Sequence, residues 1–322
     1  KAGEIKFRNT SADRLITLVH ATWFVMLRYC FIFLGWGLGI PCTPANSTPL
    51  PGTDVKAMGI SEVVVKGGNF YVGSVFGSED YAAHTNTSVA SFAMTKTEIT
   101  YQQYHALLEW ADAHGYQLSG GCNGATFEDC LPPEQDAGLH PVTNVSWWDA
   151  LIFANALSER ERLPPYYLTA DGKTLKRAPD DGSEKAIREN PQASGYRLPT
   201  LAEWQVAARG GKKGLAQGTY GQRYAGSEQP DSVAHFPSDS QSFGTVPVAS
   251  KRPNALGLYD MSGNVSEWLN ESYAVEGGKT MYYFCGGSYL ERTHSLASCD
   301  LHTPGFFMPG IGFRLVRTLD GQ

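Results

Sequence analysis

Apolar and polar positions change period several times along the chain. "EVVVKGGNFYVGS" (Glu62 to Ser74) reads as two β segments broken at Gly67-Gly68. "SFAMTKTEIT" reads as another strand. From Thr100 the period becomes helical, with Tyr104, Leu107, Leu108 and Ala111 on one face. Thr100 and Gln103 form a capping box, Ile99 can staple onto Tyr104, and His114-Gly115 ends the helix. A second helix begins in "NVSWWDALIFANALSER", with Ser146 as cap and Asp149 in the third position. Trp147, Leu151, Ala154 and Leu157 recur there at helical spacing. A third lies in "YRLPTLAEWQVAARGG", where Thr200 and Glu203 form a capping box and Gly210-Gly211 is the stop. The polar stretch from Thr169 to Ser194 reads as an insertion loop. After Gly211 no helical period persists, and the chain reads as strands and long loops.

Residues 1–41 follow another pattern. Leu15 to Ile40 is an apolar stretch carrying His20 and Arg28, and Lys1, Lys6, Arg8 and Arg14 precede it. A basic region followed by an apolar one is how an export signal reads. The length also suits a membrane-spanning helix, although Arg28 near its centre is costly there. Cys42 at the end of the leader suggests a lipid anchor, and residues 42–57 form a Pro/Ser/Thr linker. The expectation is an exported protein at a bacterial cell surface or outer membrane, with one domain over residues 58–322.

The 322 residues carry a net charge of −6, with no basic stripe, which argues against nucleic acid as a partner. The 35 glycines and 18 prolines favour a loop-rich α+β fold over a helical bundle. Cys122 and Cys130 bracket a short loop, and Cys285 and Cys299 flank a Gly-Gly-Ser segment. These four cysteines permit three pairings, and the sequence does not choose among them. No CxxC pair or zinc-spaced His/Cys cluster occurs.

Seven blocks stand in a definite order: "GGNFYVGS", "KTEITYQQY", "HPVTNVSWWDALIFANAL", "YRLPTLAEWQVAARGG", "NALGLYDMSGNVSEW", "GGS" and "GIGFRLVRT". Together they resemble the formylglycine-generating-enzyme (sulfatase-modifying factor) family, over residues 62–318. The resemblance implies a variant of the C-type lectin fold, with few helices and long loops. The family's oxidases use copper and two cysteines, one just after the Gly-Gly-Ser and one five residues later. Here those places hold Glu291 and Leu296, so no copper is expected. The chain is also similar to the family's non-catalytic branch, the variable proteins of diversity-generating retroelements, whose C-terminal segment is rewritten at adenines. That likeness implies a variable segment at about 281–311. Between Tyr289 and Gly310 there is no Trp, Lys, Gln or Asn, which fits adenine-directed rewriting of asparagine codons.

The expected function is therefore a non-catalytic, monomeric protein that binds a protein or other surface ligand. Tyr289, Leu290, Thr293, His294, Leu301, His302, Phe306 and Phe307 are expected to face solvent together as the binding surface. Gly286, Gly287, Ser288, Gly312, Phe313 and Arg314 are expected to be scaffold. The alternative is an oxidase of the formylglycine-generating type, or a relative with altered chemistry. The resemblance further implies a structural Ca²⁺ held by Asp260 and Glu267, with the Gly263 and Val265 carbonyls. The family's second calcium site maps near Ser240, a serine where that site needs a carboxylate, so it is not expected here.

Overall fold

A computed structural model describes residues 58–73, 85–125, 137–180, 187–237, 244–275, 277–291 and 295–319. All belong to one compact unit, Pro51–Gln322. The leader, Cys42, Cys130, Ser240, Thr293 and His294 lie outside the described residues.

The first half of the chain runs β1 (Glu62–Val65), β2 (Gly68–Val72), β3 (Thr85–Val89), β4 (Phe92–Thr95), α1 (Tyr101–Ala113), β5 (Cys122–Asn123), β6 (Val142–Thr143) and α2 (Trp147–Arg160). It continues through β7 (Tyr167–Thr169), β8 (Ile187–Glu189), β9 (Tyr196–Arg197), α3 (Leu201–Ala208) and α4 (Gly211–Gln217). The C-terminal part is β10 (Ser266–Ala274), β11 (Thr280–Cys285), β12 (Cys299–His302), β13 (Ile311–Gly312) and β14 (Val316–Thr318).

The three expected helices start where their caps lie. Thr100, Ser146 and Thr200 each accept the backbone N–H three residues on, and Gln103, Asp149 and Glu203 reach back to the cap N–H. Glu203 also closes a bidentate pair with Arg197, both contacts at 2.7 Å. Two elements depart from expectation. The hairpin partner β3 reads TNTSV, too polar to announce a strand, because only Val89 faces the core. A short helix, α4, follows the glycine stop. Gly210 turns the chain at φ +86°, and a Cβ on Gly214 would lie 2.1 Å from the Arg209 carbonyl oxygen. Its GKKGLAQ sequence has no apolar stripe to betray it. The expected insertion loop is framed by the β7–β8 hairpin.

Two four-stranded sheets carry the architecture. One has the order β1-β4-β14-β9, so the last strand fills its interior. The other has the order β12-β11-β10-β13, antiparallel except for β10 against β13. The second sheet parts two apolar clusters. Trp268, Tyr282 and Phe284 face the cluster built on Trp147, Leu151, Phe153 and Phe313. Tyr283 and Cys285 face the cluster of Met94, Trp204 and Leu269.

A charged group joins the sheets. Glu267 on β10 and Arg314 before β14 are both fully buried. Arg314 Nε donates to both Glu267 oxygens, at 2.9 and 2.7 Å, and Trp204 Nε1 donates to Oε2 at 2.7 Å. The remaining guanidinium nitrogens donate to the Thr95 and Tyr259 carbonyls, at 3.1 and 2.8 Å. Gly286, Gly287, Ser288, Gly312 and Phe313 are buried around it.

Breaking one partner of a buried, hydrogen-bonded pair leaves an uncompensated charge. Arg314→Met should therefore cost about 3–5 kcal/mol in urea denaturation. The double variant Arg314→Met/Glu267→Gln should recover part of that loss. A double variant less stable than Arg314→Met alone would show that the stranded carboxylate is not the source of the cost.

Candidate functional site

The segment after Gly-Gly-Ser leaves β11 through two left-handed residues, Gly286 (φ +104°) and Gly287 (φ +70°). The turn aims Tyr289 inward rather than outward. Tyr289 is 2% exposed, its N–H donates to the Asn264 carbonyl, and its hydroxyl has no hydrogen-bond partner. Burial pushes its phenol up to about 12. Leu290 is half-buried, its methyl 2.8 Å from where a Cβ on Gly310 would sit. Glu291 and Leu296 hold the places expected for thiolates. Leu296 is buried in the second cluster, and its N–H donates to the Arg223 carbonyl.

The expected surface is split by strand geometry. Tyr282 pairs with His302, and Tyr283 with Leu301. Neighbouring residues of a strand point to opposite faces, so Leu301 and His302 cannot share one. Leu301 packs on the second cluster, while Phe306 and Met308 pack on the first. His302 stacks on Phe306 with centroids 3.4 Å apart, and burial lowers its pKa. Trp147 stacks on Tyr282 at 3.7 Å, which extends the aromatic column inward. Of the six described residues in that set, Phe307 is the exposed one, at 60%.

Phe307 overhangs a cleft of about 420 Å³. Ser119, Gly120, Gly121 and Cys122 form one wall, Gly305 and Phe307 the other, and Asn144, Ser146 and Asp149 the floor. The Asn144 N–H donates to the Met308 carbonyl at 3.2 Å and fixes the second wall to the floor. Asp149 accepts from the Ser119 and Ser146 N–H groups, both at 2.8 Å. The sequence showed Asp149 only as a helix-capping residue; no local signal joins it to Phe307. The Cys285–Cys299 disulfide pins β12 to β11 at the other end of the segment. Cys122 is disulfide-bonded as well.

The residues expected to hold Ca²⁺ do cluster, and the two carboxylates among them already have protein partners. Both Glu267 oxygens receive Arg314, and Asp260 accepts the Ala249 N–H at 2.7 Å. Gly263 lies against the His235 backbone, and the Val265 N–H donates to Glu98 at 3.1 Å. The guanidinium thus takes both Glu267 oxygens that the expected Ca²⁺ site would use. Among the described residues no group of three or more His, Cys, Asp or Glu is arranged to hold a metal. The acids exceed the single base. Burial, then the charges of Asp260 and Glu267, hold the Glu98 carboxyl well above the usual range. Burial pushes Asp260 up to about 6.

The fold is a C-type lectin-like α+β fold, and the chain belongs to the family of sulfatase-modifying factor enzyme 1-like domains, whose model matches residues 47–319. It is 32% identical over 284 residues to the chaperone protein LppX of Paenibacillus barcinonensis, covering 80% of this chain and 89% of that protein. The crystal structure of CarF shares 71% identity and a TM-score of 0.76, covering 81% of this chain and 99% of that one. Treponema denticola variable protein 1 shares the fold, with a TM-score of 0.62 and 24% identity over 80% of this chain and 94% of that one.

Because Asp260 titrates near 6 when folded, against an ordinary 3.8, its contribution to stability is complete below about pH 4 and lost as pH rises through 6. Asp260→Asn keeps an acceptor for Ala249 and removes the titration. Relative to this variant, the natural protein should lose about 1–3 kcal/mol between pH 4 and 7.5 in urea melts. Parallel stability curves would show that Asp260 stays ionised throughout. Chelator or added CaCl₂ should leave the melting temperature of both proteins unchanged.

Proposed function

We propose that the protein is a non-catalytic binding protein, exported to the cell surface through its N-terminal leader and lipid-anchored at Cys42, that takes its ligand on the C-terminal segment. The observation that carries the reading is Phe307, exposed over a cleft whose walls and floor are fixed by hydrogen bonds. Exposed aromatics at the rim of a preformed pocket are the usual anchors of a binding site. The oxidase alternative loses support at the reactive positions. Leu296 offers neither redox chemistry nor metal affinity, and Glu291 supplies no thiolate.

Diversification is part of the same proposal, with a narrower field than the sequence suggested. Within 281–311 the buried block Tyr282–Tyr289 leaves little to vary, and the accessible positions cluster from Asp300 to Pro309. Of these, Asp300, Gly305 and Phe307 are the exposed ones. The composition of Tyr289 to Gly310 remains the support for adenine-directed rewriting.

Panning a random peptide library against the protein tests the reading. The natural protein should enrich a consensus, and Phe307→Ser should lose it with stability unchanged within about 0.5 kcal/mol. Leu301→Ser and Phe306→Ser should cost more, since both side chains touch the clusters. Incubation with copper, oxygen and a sulfatase-motif peptide should leave that peptide's cysteine intact. No enrichment, or formylglycine in the peptide by mass spectrometry, would overturn the proposal.

A further inference from the structure

The cleft has a charge as well as a shape. Asp149 is the one acidic side chain among the described residues that line it, and no described Lys, Arg or His is among them. We infer that the cleft takes the basic side chain of a peptide ligand, an arginine or lysine laid along Phe307 with its head group on Asp149. The inference rests on the ligand-binding reading of this face and adds the chemistry of the ligand.

Asp149 is built to receive one more donor. Its Oδ1 accepts the Ser119 N–H at 2.8 Å, and its Oδ2 accepts the Ser146 N–H at 2.8 Å and the Ser146 hydroxyl at 2.6 Å. A carboxylate offers about four acceptor positions, so one is left on Oδ1. The positive end of α2 would otherwise attract an anion, but Asp149 already occupies that place. An anionic ligand would then meet a carboxylate head-on. A purely apolar one would cover Asp149 without replacing its water, at a desolvation cost. The neighbouring Tyr104 phenol supplies no counter-charge. Burial, with the charge of Asp149 second, holds it protonated, and it donates to the Ser119 carbonyl at 2.9 Å.

The other wall suits the rest of such a side chain. A cation is attracted to an aromatic face, and the aliphatic stem of Arg or Lys covers apolar surface while its head stays polar. Gly120 and Gly305, where a Cβ would meet open space, bring backbone rather than side chains to the walls, which leaves width for the stem. A cleft of about 420 Å³ holds one long side chain and the peptide bonds beside it.

The probe is N-acetyl-arginine N-methylamide, titrated into the ¹⁵N-labelled protein and read by NMR. The amides of Gly120, Gly121 and Gly305 should shift saturably. The citrulline analogue, neutral and of the same shape, should bind at least about tenfold more weakly, a difference of 1.4 kcal/mol. Phe307→Ser and Asp149→Asn should each weaken binding of the arginine probe. Asp149 also caps α2, so the citrulline comparison, made on the unaltered protein, decides where that variant fails to fold. No shifts with the arginine probe, or equal shifts with citrulline, overturn the inference. Spermidine binding as tightly as the blocked arginine would overturn the peptide source. A library consensus that depends on Phe307 but holds no basic residue would sink this inference and leave the ligand-binding reading standing.

Discussion

The buried contact of Glu267 with Arg314 and Trp204 is the constraint on which the remaining structure depends. It is an improbable thing to place in a core, because each charge costs several kcal/mol to take out of water. Here nearly every donor and acceptor of the pair is used, by Trp204, Thr95 and Tyr259. The contacts belong to different parts of the chain: α3, β4, β10 and the approach to β14. A pair that can be satisfied only when four segments meet selects one arrangement of two sheets. The nearby excess of acid, with Glu98 and Asp260 held toward their protonated forms, is compatible with one guanidinium.

The segment proposed to bind inherits its position from that contact. Ser266 and Glu267 pair with Ile311 and Gly312, and Glu267 pairs with Cys285 across the strand on the other side. The segment between Cys285 and Ile311 is thus held at both ends by the strand that carries the buried carboxylate. Within it, the disulfide fixes Cys299, and the Asn144–Met308 hydrogen bond fixes the far end. What projects between these points is short.

The local parts of this fold were legible in the sequence. Capping boxes work through neighbours three residues apart, so Thr100, Ser146 and Thr200 announce α1, α2 and α3 directly. The family frame was legible as well, because seven blocks in order are specific. The binding face was not. Whether Leu301 or His302 faces outward depends on the register of β12 against β11, which nothing local encodes. Tyr289 turns inward because of a glycine turn whose direction is set by packing. The cleft joins residues 119–149 to residues 305–307, and its floor carboxylate carries only the signature of a helix start.

A family scaffold that has lost its reactive cysteines keeps the reason those cysteines were well placed. The Gly-Gly-Ser turn and the Gly-Phe-Arg block form a frame around a segment whose buried side chains, Tyr289 and Leu296 among them, pack into the core. In an oxidase, that frame would position two sulfur atoms. In this chain Leu296 has joined the core, and a disulfide ties Cys285 to Cys299. On the proposed reading the same frame would serve recognition, because an anchor such as Phe307 loses little freedom on binding when its backbone is already fixed. Substitution from Asp300 to Pro309 reaches the cleft without reaching the Glu267–Arg314 pair. Phe307 thus stands apart from the contacts that decide whether the chain folds, while Asp149 serves both the α2 cap and the cleft.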